Sequence, residues 1–223
     1  EVLGLKNYPR RIECYDISHI SGVDKVGSMT VFIDGAPSKT DYRRFKIKTV
    51  EGNNDFACMN EVLLRRLKKL GTDEEERFPR PDLVVIDGGK GQLSAVKDLF
   101  GEYSPETDLI SLAKREEEIF TVASNVPVVL NHSDYALKML QRIRDEAHRF
   151  AITFNRDLRK KRTLKSLLTE IDGIGNKKRD ALIDKFKDIN GIMSASIDEL
   201  SETEGIGKTL AENIKEYFRN GSI

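Results

Sequence analysis

Two aspartates and one histidine stand where they could hold a divalent cation. Asp16 lies in the run Ile12-Glu13-Cys14-Tyr15-Asp16-Ile17-Ser18-His19, Asp87 in Val84-Val85-Ile86-Asp87-Gly88-Gly89-Lys90, and His148 on the helical pattern Arg144-Asp145-Glu146-Ala147-His148-Arg149-Phe150. A strand aspartate flanked by Ile, Val and Tyr is costly to ionise unless a cation or several donors compensate. Magnesium and manganese compensate through oxygen ligands, and manganese also accepts imidazole. Alone, each aspartate reads as a turn or cap residue, and a lone helical histidine as a surface or capping residue. The order strand-Asp, strand-Asp-Gly-Gly, helix-His is what points to a metal site.

Periodicity supplies the elements that must position these groups. Arg11–Ile17, Gly27–Asp34 and Tyr42–Ile47 are strand-like, with turn chemistry at Ser21-Gly22 and Asp34-Gly35-Ala36-Pro37, and their short connections favour an antiparallel meander. Phe56, Met59, Val62, Leu63, Leu67 and Leu70 recur at spacings of three and four, which predicts an amphipathic helix over Asp55–Leu70. Gly71–Arg80, with its run Asp73-Glu74-Glu75-Glu76, is an exposed loop whose carboxylates are solvated. Leu83–Ile86 is a buried strand with a helix behind it at Gln92–Phe100, and a strand near Leu109–Ala113 completes a five-stranded mixed sheet. Glu118–Val122 and Val126–Leu130 form a hairpin excursion. A long helix is expected from Asp134 to Arg159, laid along the sheet by the stripe Ala136, Leu140, Ile143, Ala147, Phe150, Ala151, Phe154 and Leu158. Strand alternation puts Asp16 on one face with Cys14, while His19, at an odd spacing, points away.

After Lys165 the texture changes. Ile171-Asp172-Gly173-Ile174-Gly175 and Thr203-Glu204-Gly205-Ile206-Gly207 each lead into a helical segment ending in Phe, with the same 32-residue offset from Gly173 to Gly205 and from Phe186 to Phe218. This is an internal repeat of short helices. Each G-I-G turn exposes backbone N–H groups ahead of a helix N-terminus, where an anion is favoured. The basic stretch Arg159-Lys160-Lys161-Arg162 marks the junction, so the expected division is 1–158, a linker over 159–165, and 166–223.

Composition narrows the function classes. The chain has 223 residues and 37 basic against 37 acidic side chains, so no net field draws in nucleic acid and any contact must come from local clusters. Ten Lys or Arg against three acids between Lys138 and Lys165 make the one large basic tract. Cys14 and Cys58 lack metal-ligand spacing and read as reduced core thiols of a cytoplasmic protein. No apolar run is long enough to cross a bilayer, and no signal peptide is evident. Gly88-Gly89-Lys90-Gly91 lacks the spacing of a phosphate loop, with Gln92 where a hydroxyl residue is needed, which argues against a nucleotide cofactor.

Together with Ser38–Phe45 (S-K-T-D-Y-R-R-F), Asp55 with Glu61–Arg66, Ile86–Ser94 (I-D-G-G-K-G-Q-L-S), Gln141–Thr153 (Q-R-I-R-D-E-A-H-R-F-A-I-T) and Gly22, these motifs resemble the C-terminal half of the UvrC family. The resemblance implies an α/β ribonuclease-H-like endonuclease domain, a mixed five-stranded sheet with helices on both faces, followed by a small all-α tandem helix-hairpin-helix domain. It also implies metal-dependent 5′ incision of damaged double-stranded DNA in bacterial nucleotide excision repair. The cofactor would be Mg2+ or Mn2+, with Asp16 the bridging or principal ligand, Asp87 the second carboxylate and His148 the third ligand. Asp55 matches a family aspartate, but its place suits a helix N-cap, the reading favoured here over an accessory metal role. Recruitment by a UvrB–DNA complex would run through the family's N-terminal half, and the start at Glu1 fits a fragment lacking it.

DNA contacts are expected from Arg43, Arg44, Lys90 and the basic run Arg159, Lys160, Lys161 and Arg162. In the paired hairpins they are expected from Gly173, Gly175, Lys177 and Lys178 and from Gly205, Gly207, Lys208 and Thr209, gripping phosphates on both strands without reading sequence. The glycines after Asp87 would clear room for the DNA backbone. Two other readings stay open: a DNA-binding scaffold that does not cut, and a junction resolvase of the same superfold.

Overall fold

The computed structural model describes residues 2–20, 24–114 and 116–220, and the side chains of all of these except 20, 24, 155, 157, 158, 160 and 161. The turn expected at Ser21-Gly22 and the side chains of Lys160 and Lys161 therefore lie outside the described residues. Two compact units result, Glu1–Asn155 and Arg156–Ile223.

Unit 1 is a mixed sheet built from β1 (Arg11–Ile20), β2 (Asp24–Ile33), β3 (Ala36–Pro37), β4 (Arg43–Lys46), β5 (Leu83–Asp87), β6 (Asp108–Leu112), β7 (Ile119–Thr121) and β8 (Ser124–Val128). The strand order is β3-β2-β1-β5-β6-β7-β8, with β4 also paired to β2. β1, β5 and β6 are parallel, and β2, β4, β7 and β8 extend the sheet antiparallel on either side. Among the described residues the sheet thus has eight strands where five were expected. The difference lies in the two-residue β3 and in the β7–β8 hairpin, which hydrogen-bonds to β6 and continues the sheet instead of leaving it. A three-residue strand leaves too few positions for alternation to register.

The core follows strand alternation. Ile12 and Cys14 of β1, with Leu83 and Val85 of β5, pack under the helix α3 (Tyr135–Thr169) through Leu137, Leu140, Ile143 and Ala147. Tyr15, Val84 and Ile86 face the other way, against α1 (Asp55–Leu67) and α2 (Lys90–Tyr103) through Met59, Val62, Leu63, Leu93 and Val96. Both faces of the parallel strands are covered, as a parallel sheet requires. Glu13 shares the α1 face and is wholly buried, held by Arg66 at 2.8 and 3.1 Å and by the Tyr15 hydroxyl at 2.7 Å.

The helix α3 is longer than predicted and runs unbroken through 159–165, the expected linker. That stretch contains no Gly or Pro, and Arg, Lys and Leu are strong helix formers, so basic charge alone does not end a helix. Unit 2 adds α4 (Asn176–Phe186), α5 (Ile189–Ser194), α6 (Ile197–Ser201) and α7 (Lys208–Arg219) around Leu164, Leu168, Leu182, Leu200, Ile214 and Phe218.

Candidate metal centre

Parallel pairing of β1 with β5 runs Cys14 to Val85 and Tyr15 to Ile86. One step further along that register Asp16 stands beside Asp87, the last residue of β5. Both belong to the α3 face, because each follows its inward partner, Cys14 or Val85, by two residues. His148 reaches the same point from α3, one residue beyond the buried Ala147. One ligand atom from each of Asp16, Asp87 and His148 lies within 4.8 Å of the others, and among the described residues no second cluster of three such side chains occurs.

Electrostatics set this pair of carboxylates apart. Asp16 is 9% exposed and Asp87 8%. Burial, reinforced by the neighbouring Asp87 carboxylate, lifts the Asp16 carboxyl to about 7, and Lys114 opposes the rise. Asp87 Oδ2 is buried without a hydrogen-bond partner. Lys114, two residues past the end of β6, brings its ammonium to 3.4 Å from that oxygen and 3.5 Å from His148 Nδ1. Two buried carboxylates, one with an oxygen lacking a hydrogen bond, and an imidazole form an O,O,N donor set suited to magnesium or manganese. Lys114 was not foreseen. Its signal was position, since the carboxyl ends of adjacent parallel strands converge on the same site.

The remaining predicted residues are placed as follows. Asp55 is not the N-cap of α1: Asn54 is, accepting from Ala57 N at 3.0 Å. Asp55 is the first helical residue and its Oδ1 lies 2.5 Å from His19 Nε2. Asn is as good a cap as Asp, and the chain enters the helix one residue earlier than the acidic signal suggested. Arg43 donates to the carbonyls of Thr40 and Tyr42, and Arg44 lies over the rings of Phe150 and Phe154 at 4.2 and 4.3 Å. Lys90 Nζ reaches the Asn125 carbonyl at 3.4 Å. The basic tract is less free than its count implied, because Arg142 is bound to Gly35 O, the buried Arg144 to Glu117 and Asp145, and Arg149 to Glu146. Arg159 is exposed and Arg162 half-buried.

In unit 2, Gly173 and Gly205 have φ of +87° and +78°, a region open chiefly to glycine. Gly175 and Gly207 are the N-caps of α4 and α7. Gly173 meets Leu210, and Gly205 meets Lys178, the residue 32 positions before Leu210. Each turn thus packs on the same position of the other repeat, as pseudo-twofold symmetry requires. Lys177, Lys208 and Thr209 are exposed, and Lys178 donates to Gly173 O at 2.9 Å.

Comparison with known proteins agrees with this architecture. Residues 1–152 match the model of the UvrC RNAse H endonuclease domain, and residues 165–220 that of a SAM-like helix-hairpin-helix tandem. The UvrABC system protein C of Gloeobacter violaceus is 49% identical over 98% of this chain and 35% of its own length. That of Dictyoglomus thermophilum is 44% identical over 99% and 36%, and that of Chlorobaculum tepidum 44% over 99% and 34%. The chain therefore spans about a third of the length of these relatives. Among solved structures, human ENDOV aligns with a TM-score of 0.39 at 12% identity, over 66% of this chain and 85% of that one. By the family model across unit 1 and the identity along nearly its whole length, this chain belongs to the UvrC family.

Proposed function

We propose that this chain is the part of a nucleotide excision repair nuclease that makes the 5′ incision beside a lesion in double-stranded DNA, using Mg2+ or Mn2+. The observation that carries the reading is the meeting of Asp16, Asp87 and His148, with Asp87 Oδ2 buried and lacking a hydrogen bond. When bound, a divalent cation supplies Lewis-acid stabilisation and an activated water for attack on a phosphodiester.

The chain's own residues do the rest. Asp16 and Asp87 would hold the cation from β1 and β5, and His148 would hold it from α3. Lys114, half exposed beside Asp87, offers its ammonium to a non-bridging phosphate oxygen, where negative charge grows as the bond breaks. The hairpins of unit 2 grip phosphates through helix N-termini, Lys177 and Lys208, without reading sequence. The partner would be damaged DNA presented by UvrB, engaged through the portion of the relatives that this chain does not span.

Nicking of supercoiled plasmid with and without Mn2+ tests the reading. Asp16→Asn and Asp87→Asn should each abolish metal-dependent nicking while duplex affinity stays within a few-fold, because grip and chemistry rest on different residues. Near-normal nicking by either variant would remove that residue from the centre. A chain that binds DNA but never nicks in any divalent metal would favour the non-cutting scaffold.

A further inference from the structure

A hollow of about 720 Å3 lies between the first turns of α1 and α2. His19, Asn53, Asp55, Phe56, Gly91 and Gln92 are among the residues lining it. It lies toward the same strand ends as the centre, on the α1 side of β1: His19 is three residues past Asp16, and Gly89, also in the lining, is two past Asp87. Asp55 is near enough for its charge to bear on Asp16. The hollow and the centre therefore open at the same strand ends.

Its chemistry does not suit a second cation. Asp55 is the one carboxylate among its lining residues, and His19 already engages it. The hollow instead offers a ring and amides. Phe56 is 50% exposed, an unusual state for a phenyl group on a well-packed helix. One edge of its ring rests on Gly91, where an added Cβ would come within 3.1 Å, so glycine there lets the ring sit down on the first turn of α2. Gln92 accepts from Gly89 N at 3.1 Å through Oε1, which leaves its amide nitrogen to donate, and Asn53 is exposed beside it. A flat apolar surface rimmed by amide donors and acceptors, beside two helix N-termini that favour a phosphate, is what a nucleotide needs.

We propose that this hollow is a subsite for one unstacked nucleotide flanking the scissile phosphate, its base lying on Phe56 and its edge facing the Asn53 and Gln92 amides. The proposal rests on the nuclease reading for its substrate. Stacking on a phenyl ring tolerates any base, so the subsite selects for a nucleotide released from the duplex and not for sequence. Releasing a base costs least where pairing is already disturbed, so the subsite would favour distorted over regular DNA.

The test uses the full 223-residue chain in EDTA, where nothing is cut, with two duplexes that differ by a single bulged 2-aminopurine nucleotide. The chain should bind the bulged duplex about ten-fold more tightly, and 2-aminopurine fluorescence should be quenched by stacking. Phe56→Ala should lose both the preference and the quenching, Phe56→Tyr should keep both, and the paired duplex should bind all three proteins alike. Equal affinity of the parent chain for the two duplexes, or a preference that survives Phe56→Ala, would overturn the subsite. The Asp16→Asn, Asp87→Asn double variant should keep the preference while losing Mn2+-dependent nicking, which separates the fates of the two ideas. A chain that nicks but shows no preference loses only the subsite, and one that shows the Phe56-dependent preference but never nicks loses only the nuclease reading.

Discussion

Asp16 is a carboxyl kept from water and set against a second carboxyl, and the cost of that arrangement can be measured. Its folded value of about 7 stands above the ordinary 3.8, so between about pH 4 and pH 7 the folded chain holds a proton that the unfolded chain has released. Stability then falls as pH rises through that window, and by pH 8 the full cost of ionising Asp16 is present. With chelator present, Asp16→Asn should flatten this limb and raise the melting midpoint at pH 8 by about 2–4 °C, corresponding to a gain of about 1 kcal/mol. A variant that melts below the parent at pH 8 would show that the carboxylate is not held under strain. Lys114 acts in the opposite sense. Lys114→Met should lower the midpoint at pH 8, and at saturating Mn2+ it should slow nicking by about 100-fold with duplex affinity little changed. Normal nicking by this variant would leave Lys114 a surface charge.

β1 shows how one strand serves two purposes. Its odd positions Glu13 and Tyr15 lock onto α1, and its even positions Ile12, Cys14 and Asp16 face α3, so the same alternation that anchors the strand aims the ligand. Arg66→Met should leave the buried Glu13 charge with Arg11 at 3.4 Å as its remaining ionic partner and cost about 3 kcal/mol in urea unfolding, with Glu13→Gln in the same chain recovering much of it. A loss under about 1 kcal/mol would mean that water reaches Glu13. The order of the motifs and the family resemblance singled out Asp16, Asp87 and His148 in the sequence, alternation set Asp16 on the face of Cys14, and the repeat made the hairpins legible. Other features depended on partners distant in sequence. The pairing of β7–β8 onto β6 leaves no pattern in three residues, and the capture of Arg142 by Gly35 and of Arg144 by Glu117 cannot be seen from the charge count along α3. Lys114 has no motif at all and acquires its role only when β6 is laid beside β5.

For the molecule as a whole, two separate cores allow the proposed grip and the proposed chemistry to be tested apart. The clusters of unit 1 draw on no residue beyond Phe150, and that of unit 2 begins at Leu164. A chain ending at Asn155 therefore keeps the cores around Asp16, Asp87 and His148 and should fold cooperatively with the same Mn2+-dependent rise in melting temperature as the whole chain. It loses both hairpins, so duplex binding should weaken, equally for unrelated sequences. The slope of log affinity against log salt should become shallower by about 1.8, one lost phosphate contact for each hairpin at about 0.9 apiece. If affinity and slope are unchanged in the shortened chain, the phosphates are held by unit 1 and the tandem hairpins serve to dock a protein.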